Sequence, residues 1–355
     1  MGTRSALRTA ARAASGTLAL GGGVLAYSLL EARRPVLRRL EVPVLAPGQP
    51  PLTILHLSDL HLTARTEALV SWVRGLARLA PDVVVDTGDN LSLASGLEPL
   101  SRALEPFLGL PGAFVMGDHD YRSTVFRLPT RYLRRDPRTA DRPGSDPDAL
   151  PWEEVRDLQS SGGWVDLTNR RGLLHVGGYS IDLVGVDDPH VERDVFPAPA
   201  ASAHLVDSPG VPRPVPLIDT WGRRLRLGLL HAPYRRVLEE MEADSVSLAL
   251  AGHTHGGQLC VPGYGALVTN CDLDRTRASG LSWWQQAEQT GRTEQEAGQV
   301  VSPRVTAAVS QGRAGSPRPS GMYLHVSAGL GTSPYTPVRL ACPPQATLLT
   351  LRPAG

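Results

Sequence analysis

The first half of the chain alternates short apolar runs with stretches of helical periodicity. Residues Leu52 to Leu57 form the first run and end at SDLH, and a stretch with helical spacing follows from about Thr66 to Ala80. A second run lies in DVVVDTGD, and a third, in GAFVMGDHD, follows another helical stretch that ends near Leu108. Apolar runs of this length predict buried strands, and their alternation with helices predicts a β-α-β-α-β unit.

Six later runs also predict strands, and their short spacing favours antiparallel pairing in a second, mixed sheet. They are Leu173–Val176, Ser180–Val186, Leu225–Leu230, Ser247–Ala251, Met322–Ser327 and Ala346–Leu351. A segment at about 284–320 is rich in Gln, Ser, Gly and Arg and has little apolar patterning, which predicts a disordered insertion.

The N-terminus has a different pattern. Arginines at positions 4, 8 and 12 precede an uncharged run from Ala13 to Leu30. As a helix this run would be about 27 Å long, close to the thickness of the hydrocarbon core of a bilayer. We interpret it as a single N-terminal anchor in the cell membrane or as a leader peptide, and arginines on both sides of the run leave its orientation open.

These patterns divide the chain into three parts. Residues 1–34 form the anchor or leader, residues 35–51 are a Pro-rich connector, and residues 52–352 form the α/β domain with its insertion. The 355 residues, 41% of them hydrophobic, suit one large α/β domain or two smaller ones. With 36 basic and 35 acidic residues the net charge is +1, so no nucleic-acid partner is indicated.

The chain has three cysteines, Cys260, Cys271 and Cys342, and none of them has CxxC spacing. We interpret them as small core residues. A disulfide between Cys260 and Cys271 stays open as an alternative if the domain faces an oxidising compartment, because both lie on one short connection.

Acidic residues and histidines cluster where the predicted strands end, and the ends of parallel strands gather ligand groups at one edge of a sheet. The residues are Asp59 and His61 in SDLH, Asp89 in GDN, Asp118 and His119 in GDHD, His231 in LLHAPY, and His253 and His255 in GHTH. Carboxylate and imidazole together favour borderline divalent metals such as Mn, Fe, Zn or Co. So large a set of ligands is too many for one ion, yet it suits two ions that share a carboxylate.

The five motifs in this order resemble the calcineurin-like metallophosphoesterase superfamily, over residues from about Leu52 to Leu351. SDLHL, AGHTHGGQ and the ending GLGTSPYTPVR are most similar to its branch of membrane-associated bacterial phosphoesterases. The resemblance implies a four-layer α/β/β/α sandwich of two mixed sheets, with a site for two divalent metal ions at one edge of the sheets.

The resemblance also implies a role for each candidate residue. The first metal ion would be held by Asp59, His61 and His255, the second by Asp118, His231 and His253, and Asp89 would bridge the two. His119 would stay off the metals and donate a proton to the leaving-group oxygen. The identity of the ions stays open among Mn, Fe, Zn and similar metals.

The implied reaction is hydrolysis of a phosphomonoester or phosphodiester by in-line attack of a metal-bridging hydroxide. Lipid-linked and nucleotide-containing esters are both left open as substrates. The sequence departs from the family at Asp118, where Asn is usual, and the added negative charge is expected to tighten metal binding and reduce the Lewis acidity of the metal. The alternative is therefore a membrane-attached metal-binding protein of this fold with weakened or lost turnover.

Overall fold

The computed structural model describes residues 15, 19–124, 149–199, 214–286 and 321–354. Two mixed sheets pack face to face, and helices cover their outer faces. The fold is therefore the four-layer α/β/β/α sandwich that the sequence predicts. Alternation along the strands produces the layers, since Ile54 faces the core between the sheets while its neighbour Leu55 faces the helices.

The first sheet has six strands and carries the first three motifs. They are β1 (Val36–Leu45), β2 (Leu52–Leu57), β3 (Val83–Asp86), β4 (Gly112–Phe114), β5 (Val165–Asp166) and β15 (Gln345–Pro353), in the spatial order β1-β15-β2-β3-β4-β5. The strands from β2 to β5 are parallel neighbours, and β15 runs antiparallel to β2. The carboxyl ends of β2, β3 and β4 therefore meet at one edge.

The second sheet carries the histidine motifs. Its strands are β6 (Arg170–Val176), β7 (Tyr179–Gly185), β8 (Val215–Pro216), β9 (Arg226–Leu229), β10 (Leu248–Ala251), β13 (Gly280–Trp284) and β14 (Met322–Val326). Their order is β13-β14-β10-β9-β7-β6, with β8 beside β7. Two further strands, β11 (Cys260–Val261) and β12 (Gly265–Ala266), form a small hairpin of their own.

Six helices complete the described fold. They are α1 (residues 19–31), α2 (Glu67–Gly75), α3 (Leu97–Leu104), the single turn α4 (Asp118–Tyr121), α5 (Trp152–Ser161) and α6 (Arg235–Ala243). Val70 and Val73, one turn apart on α2, pack with residues of α3 and α5 on the outer face of the first sheet. Val237 and Met241 of α6 pack on the outer face of the second.

Two strands differ from the sequence interpretation. Residues 35–51 were expected to be a connector, but β1 lies within them and pairs in parallel with β15 at the edge of the first sheet. Pro43 is compatible with an edge strand, where the missing N–H breaks no ladder. The final strand, expected in the second sheet, lies in the first between β1 and β2. Both differences arise from pairing between the two ends of the chain.

The described residues include only part of the predicted membrane run Ala13–Leu30. Within them, no helix has the length and apolar character needed to cross a bilayer. The predicted insertion at 284–320 lies outside the described residues except for its first three. All three cysteines are free thiols, Cys342 buried and the other two partly exposed.

Candidate metal centre

Five of the predicted ligands converge where strands of both sheets end. Asp59 and His61 follow β2, Asp89 follows β3, His231 follows β9 and His255 follows β10. They form two groups, Asp59 with His61 and His255, and Asp59 with Asp89 and His231, and within each group the ligand atoms lie within 4.8 Å of one another. We refer to these as the first and the second triad.

The first triad brings two imidazoles face to face. The Nε2 atoms of His61 and His255 are 3.2 Å apart, and Nε2 of His255 lies 3.6 Å from Oδ1 of Asp59. Burial lowers the pKa of His61 to about 3 and holds the pKa of His255 well below its ordinary value. Both rings are therefore neutral near pH 7, which is the form of histidine that binds metals.

Asp89 lies between a histidine of each triad. Its Oδ2 is 3.6 Å from Nε2 of His61 and 3.3 Å from Nε2 of His231, while its Oδ1 accepts a hydrogen bond from the backbone N–H of His119 at 2.8 Å. Burial raises the pKa of Asp89, but the three histidines around it outweigh burial and keep its pKa well below the ordinary value. One ionised oxygen facing both triads is the arrangement expected of a bridging ligand.

Asp59 is the residue common to both triads. Its Oδ2 accepts from the Ser58 hydroxyl at 2.5 Å, and its Oδ1 accepts from the backbone N–H of His253 at 3.0 Å. Burial raises its pKa to about 6. Both oxygens of Asp59 thus accept hydrogen bonds from neighbouring donors, whereas Oδ2 of Asp89 faces two histidine ring nitrogens. Asp89 is therefore the carboxylate that better suits a bridging role.

The orientation of His231 fits a divalent cation. Its Nδ1 donates to the carbonyl oxygen of Thr87 at 2.7 Å, which leaves the lone pair of a neutral ring on Nε2. Nε2 is buried and, within the described part of the chain, has no well-aligned hydrogen-bond partner. Burial lowers the pKa of His231, but Asp89 outweighs burial and raises the pKa well above its ordinary value. The position therefore attracts positive charge, whether a proton or a metal ion.

His119 lies beside the triads on α4. Its ring centroid is 5.2 Å from that of His61, and its Nδ1 is 3.2 Å from the carbonyl oxygen of Arg122. Burial lowers the pKa of His119, but the carboxylates of Asp89 and Asp118 outweigh it, so that the pKa is raised. With Nδ1 donating to the carbonyl, Nε2 is the nitrogen left for a ligand or substrate.

Asp118 and His253 lie near the triads without belonging to either. The ring of His253 is 5.2 Å from that of His231, and its Nε2 is 3.2 Å from the carbonyl oxygen of Asn270. Asp118 is partly exposed, and burial together with the charge of Asp89 raises its pKa. The ligand roles of these two residues stay predictions.

The backbone at the site is strained. Five of the predicted ligands have left-handed φ values: Asp59 (51°), His61 (46°), Asp89 (57°), His253 (67°) and His255 (49°). Residues other than glycine seldom adopt this conformation, which costs on the order of 1–3 kcal/mol each, and such residues persist only where the surroundings hold them. Their concentration on the strand ends indicates a functional site.

Two buried polar residues that sequence reasoning did not place hold the loops of the site. The first is Asp120, whose carboxylate accepts from the backbone N–H groups of Asp89, Asn90 and Gly117 at 2.8–3.0 Å. It therefore ties the loop after β3 to the loop after β4. Gly117 is required there, because a Cβ would collide with the Asp89 carboxylate.

The second of these residues is Arg339, whose side chain is fully buried. Its Nη1 donates to the carbonyl oxygens of His255 at 3.0 Å and Ala328 at 2.7 Å, and its Nη2 donates to that of Gly331 at 2.7 Å. In the sequence, Arg339 was indicated only as the last residue of the segment GLGTSPYTPVR. Arg339 thus joins the loop that carries His255 to the segment after β14.

The sequence model of the family described as "Calcineurin-like phosphoesterase" matches residues 52–257, more than half of the chain and all five residues of the triads. Among curated proteins, "Uncharacterized protein YpbG" of Bacillus subtilis (strain 168) is 27% identical over 218 residues. These cover 60% of this chain and 64% of that protein, so the match spans less than two thirds of the relative.

Two solved structures are similar at low identity. The protein TT1561 of Thermus thermophilus is 14% identical with a TM-score of 0.30, and the match covers 57% of this chain and 82% of that one. Purple acid phosphatase PPD1 from yellow lupin (Lupinus luteus) seeds is 12% identical with a TM-score of 0.32, over 59% of this chain and 39% of that one.

Replacing Asp120 tests the link between the two loops. Asp120→Ala leaves three buried backbone N–H groups without their acceptor, so we expect the free energy of unfolding to fall by about 3 kcal/mol in urea titrations. Glu105→Ala is the control, because Glu105 pairs with Arg74 while 69% exposed, and such pairs contribute about 0–1 kcal/mol. Equal stability of the two variants would contradict this role for Asp120.

Proposed function

Because the chain belongs to the calcineurin-like phosphoesterase family, we propose that it is a hydrolase of phosphoric esters that uses divalent metal ions. The observation that carries the proposal is the convergence of the two triads at the edge of both sheets, with the ligand atoms within 4.8 Å of one another in each triad. Two buried carboxylates and three imidazoles form a donor set that favours Mn, Fe, Zn or Co.

In this proposal Asp59, His61 and His255 would hold one ion, His231 would hold a second, and Asp89 would be a ligand of both. Asp118 and His253, which lie beside the second triad, complete the second site. Two bound cations would neutralise the phosphate oxygens and lower the pKa of the attacking water. The protein contributes a rigid frame, since the ligands project from strand ends that are fixed by buried hydrogen bonds.

We assign to His119 the delivery of a proton to the leaving-group oxygen. The support is positional: the ring lies 5.2 Å from that of His61, and the carbonyl of Arg122 occupies Nδ1, so that Nε2 is available to a substrate. A leaving alkoxide needs a proton, and an imidazolium is a suitable donor near neutral pH. Thr124, whose hydroxyl is 3.4 Å from Nδ1, helps to hold the ring.

The substrate we propose is a phosphomonoester or a phosphodiester, of the lipid-linked or the nucleotide-containing kind. The competing function is metal binding with weakened turnover. Asp118 favours it, because an ionised carboxylate adds negative charge where the family usually has an amide. A panel of monoesters and diesters, assayed with the metal-loaded protein, separates the two functions.

We also propose that the N-terminal segment attaches the protein to the cell membrane, as in the membrane-associated branch of the family. Helix α1 supports this, because five of its six large apolar side chains are 43–71% exposed: Leu20, Val24, Leu25, Tyr27 and Leu30. Its C-terminal end is fixed to the domain, since Arg339 N–H donates to the Ser28 carbonyl and Ala341 N–H donates to Glu31. An exposed apolar surface joined to the domain in this way suits contact with lipid.

Removing the carboxylate of Asp89, the proposed bridging ligand, tests the assignment of the metal ligands. We expect Asp89→Ala to lose most of the metal of both sites and all turnover, because Oδ2 of Asp89 lies 3.6 Å from Nε2 of His61 and 3.3 Å from Nε2 of His231, one histidine of each triad. Metal content is measured by inductively coupled plasma mass spectrometry after gel filtration. Asp157→Ala, at an exposed carboxylate on α5, is the control and should keep wild-type metal. Wild-type metal and turnover in Asp89→Ala would refute the assignment.

The role of His119 predicts a dependence on the leaving group. His119→Asn should retain its metal while the rate on an alkyl phosphate falls by about 10²–10⁴. The loss should be smaller for p-nitrophenyl phosphate, whose leaving group needs no proton. His175→Asn, at an exposed histidine on β6, should leave both rates unchanged. An equal loss on both substrates would exclude proton donation by His119.

Membrane attachment is tested by deleting residues 1–27, which leaves the contacts of Ser28 and Glu31 in place. We expect the full-length protein in the membrane fraction, and the shortened protein in the soluble fraction with its metal content intact. Full-length, uncleaved protein in the soluble fraction would contradict the anchor. A mature N-terminus after the segment would identify a leader peptide instead.

A further inference from the structure

Cys260 and Cys342 meet in the folded protein although they lie far apart in the sequence. Both thiols donate to the carbonyl oxygen of Gly256, at 3.1 Å from Cys260 and 3.5 Å from Cys342. Two free thiols within hydrogen-bonding distance of the same carbonyl oxygen lie close together, as a direct reaction between their sulfurs requires.

The backbone holds the two cysteines in this position. Cys260 N–H donates to the carbonyl of Leu340 at 2.8 Å, and Leu340 N–H donates to the carbonyl of Gln258 at 3.0 Å. Leu259 and Leu340 thereby form a parallel bridge that runs the two segments side by side. The two cysteines therefore lie on neighbouring segments of backbone that hydrogen bonds hold together.

The third cysteine has a different environment. Cys271 packs against the buried cluster under α6, together with Leu273 and Trp284. Burial raises the pKa of the Cys271 thiol to about 12. The structure thus pairs Cys260 with Cys342, and not with Cys271 as the sequence alone left open.

We propose that Cys260 and Cys342 are a site of oxidative modification, at which an oxidant of the disulfide or peroxide class joins the two sulfurs. With oxidised glutathione, one cysteine thiolate attacks a glutathione sulfur, releases one reduced glutathione and leaves a mixed disulfide. The second cysteine attacks the protein sulfur of that disulfide and releases the second reduced glutathione. The protein loses two electrons and two protons, and glutathione disulfide gains them.

The modification acts on the loop that carries His255. Formation of the bond removes the S–H of Cys260 from the Gly256 carbonyl. It also removes the single S–H of Cys342, whose sulfur lies 3.3 Å from the His255 carbonyl oxygen and 3.5 Å from that of Gly256. It also ties the loop to the C-terminal segment across a long stretch of chain, which restricts the unfolded state and stabilises the fold. Oxidation of the two cysteines thereby changes the hydrogen bonds of the loop directly beside the first triad, whether or not that triad binds metal.

The test uses the reduced full-length protein, incubated without oxygen in excess oxidised glutathione. Free thiols are counted with a maleimide, and the linked peptides are identified by mass spectrometry. We expect one thiol to remain, that of Cys271, one peptide that joins Cys260 to Cys342, and a higher midpoint of thermal unfolding. Three remaining thiols, or a crosslink that includes Cys271, would overturn the proposal.

Three serine variants serve as matched controls. Cys271→Ser should form the same crosslink with the same rise in midpoint, while Cys260→Ser and Cys342→Ser should form none. If either of the last two does not fold, the peptide map of the wild type and of Cys271→Ser still decides the outcome. An identical rise in midpoint in Cys260→Ser would contradict the proposed pair.

Discussion

The carboxylate of Asp89 joins the ends of three strands, and the site is arranged around it. One oxygen accepts from the backbone of His119 after β4, and the other faces His61 after β2 and His231 after β9. These strands belong to both sheets, so the two halves of the sandwich meet at this carboxylate. Asp120 holds Asp89 in place by accepting a hydrogen bond from its backbone N–H. The left-handed φ of Asp89 shows that its surroundings hold the turn in a conformation that an aspartate seldom adopts.

A cluster of buried carboxylates makes this arrangement costly unless positive charge is present. Burial, together with the charge of Asp89, raises the pKa of Asp59 to about 6 and those of Asp120 and Asp188 to about 7. Backbone N–H groups offset part of the cost, three at Asp120 and those of Asp118 and His190 at Asp188. An unpaired buried charge still costs several kcal/mol, and divalent cations between the triads would remove that cost. The neutral rings of His61 and His255 and the lone pair of His231 provide the donors.

The sequence predicts what depends on local patterns and misses what depends on contacts between distant segments. Apolar runs that end in Asp or His locate β2, β3, β9 and β10, because a buried strand and the polar residue at its end are adjacent in the chain. The strand β1 escapes prediction, since Pro43 makes its segment look like a linker and only pairing with β15 makes it a strand. Asp120 and Arg339 are missed for a related reason: each acts through backbone groups that the fold brings from elsewhere. The proximity of Cys260 and Cys342 likewise could not be predicted from their spacing in the sequence.

We propose that Asp89 would bridge two metal ions where the two sheets meet. Anomalous X-ray diffraction from crystals of metal-loaded protein, recorded on both sides of the absorption edge of the metal, tests this bridging role. We expect two anomalous peaks about 3.5–4 Å apart, with Oδ2 of Asp89 in contact with both, His61 and His255 on one side and His231 on the other. A single peak, or peaks that do not contact Asp89, would contradict it.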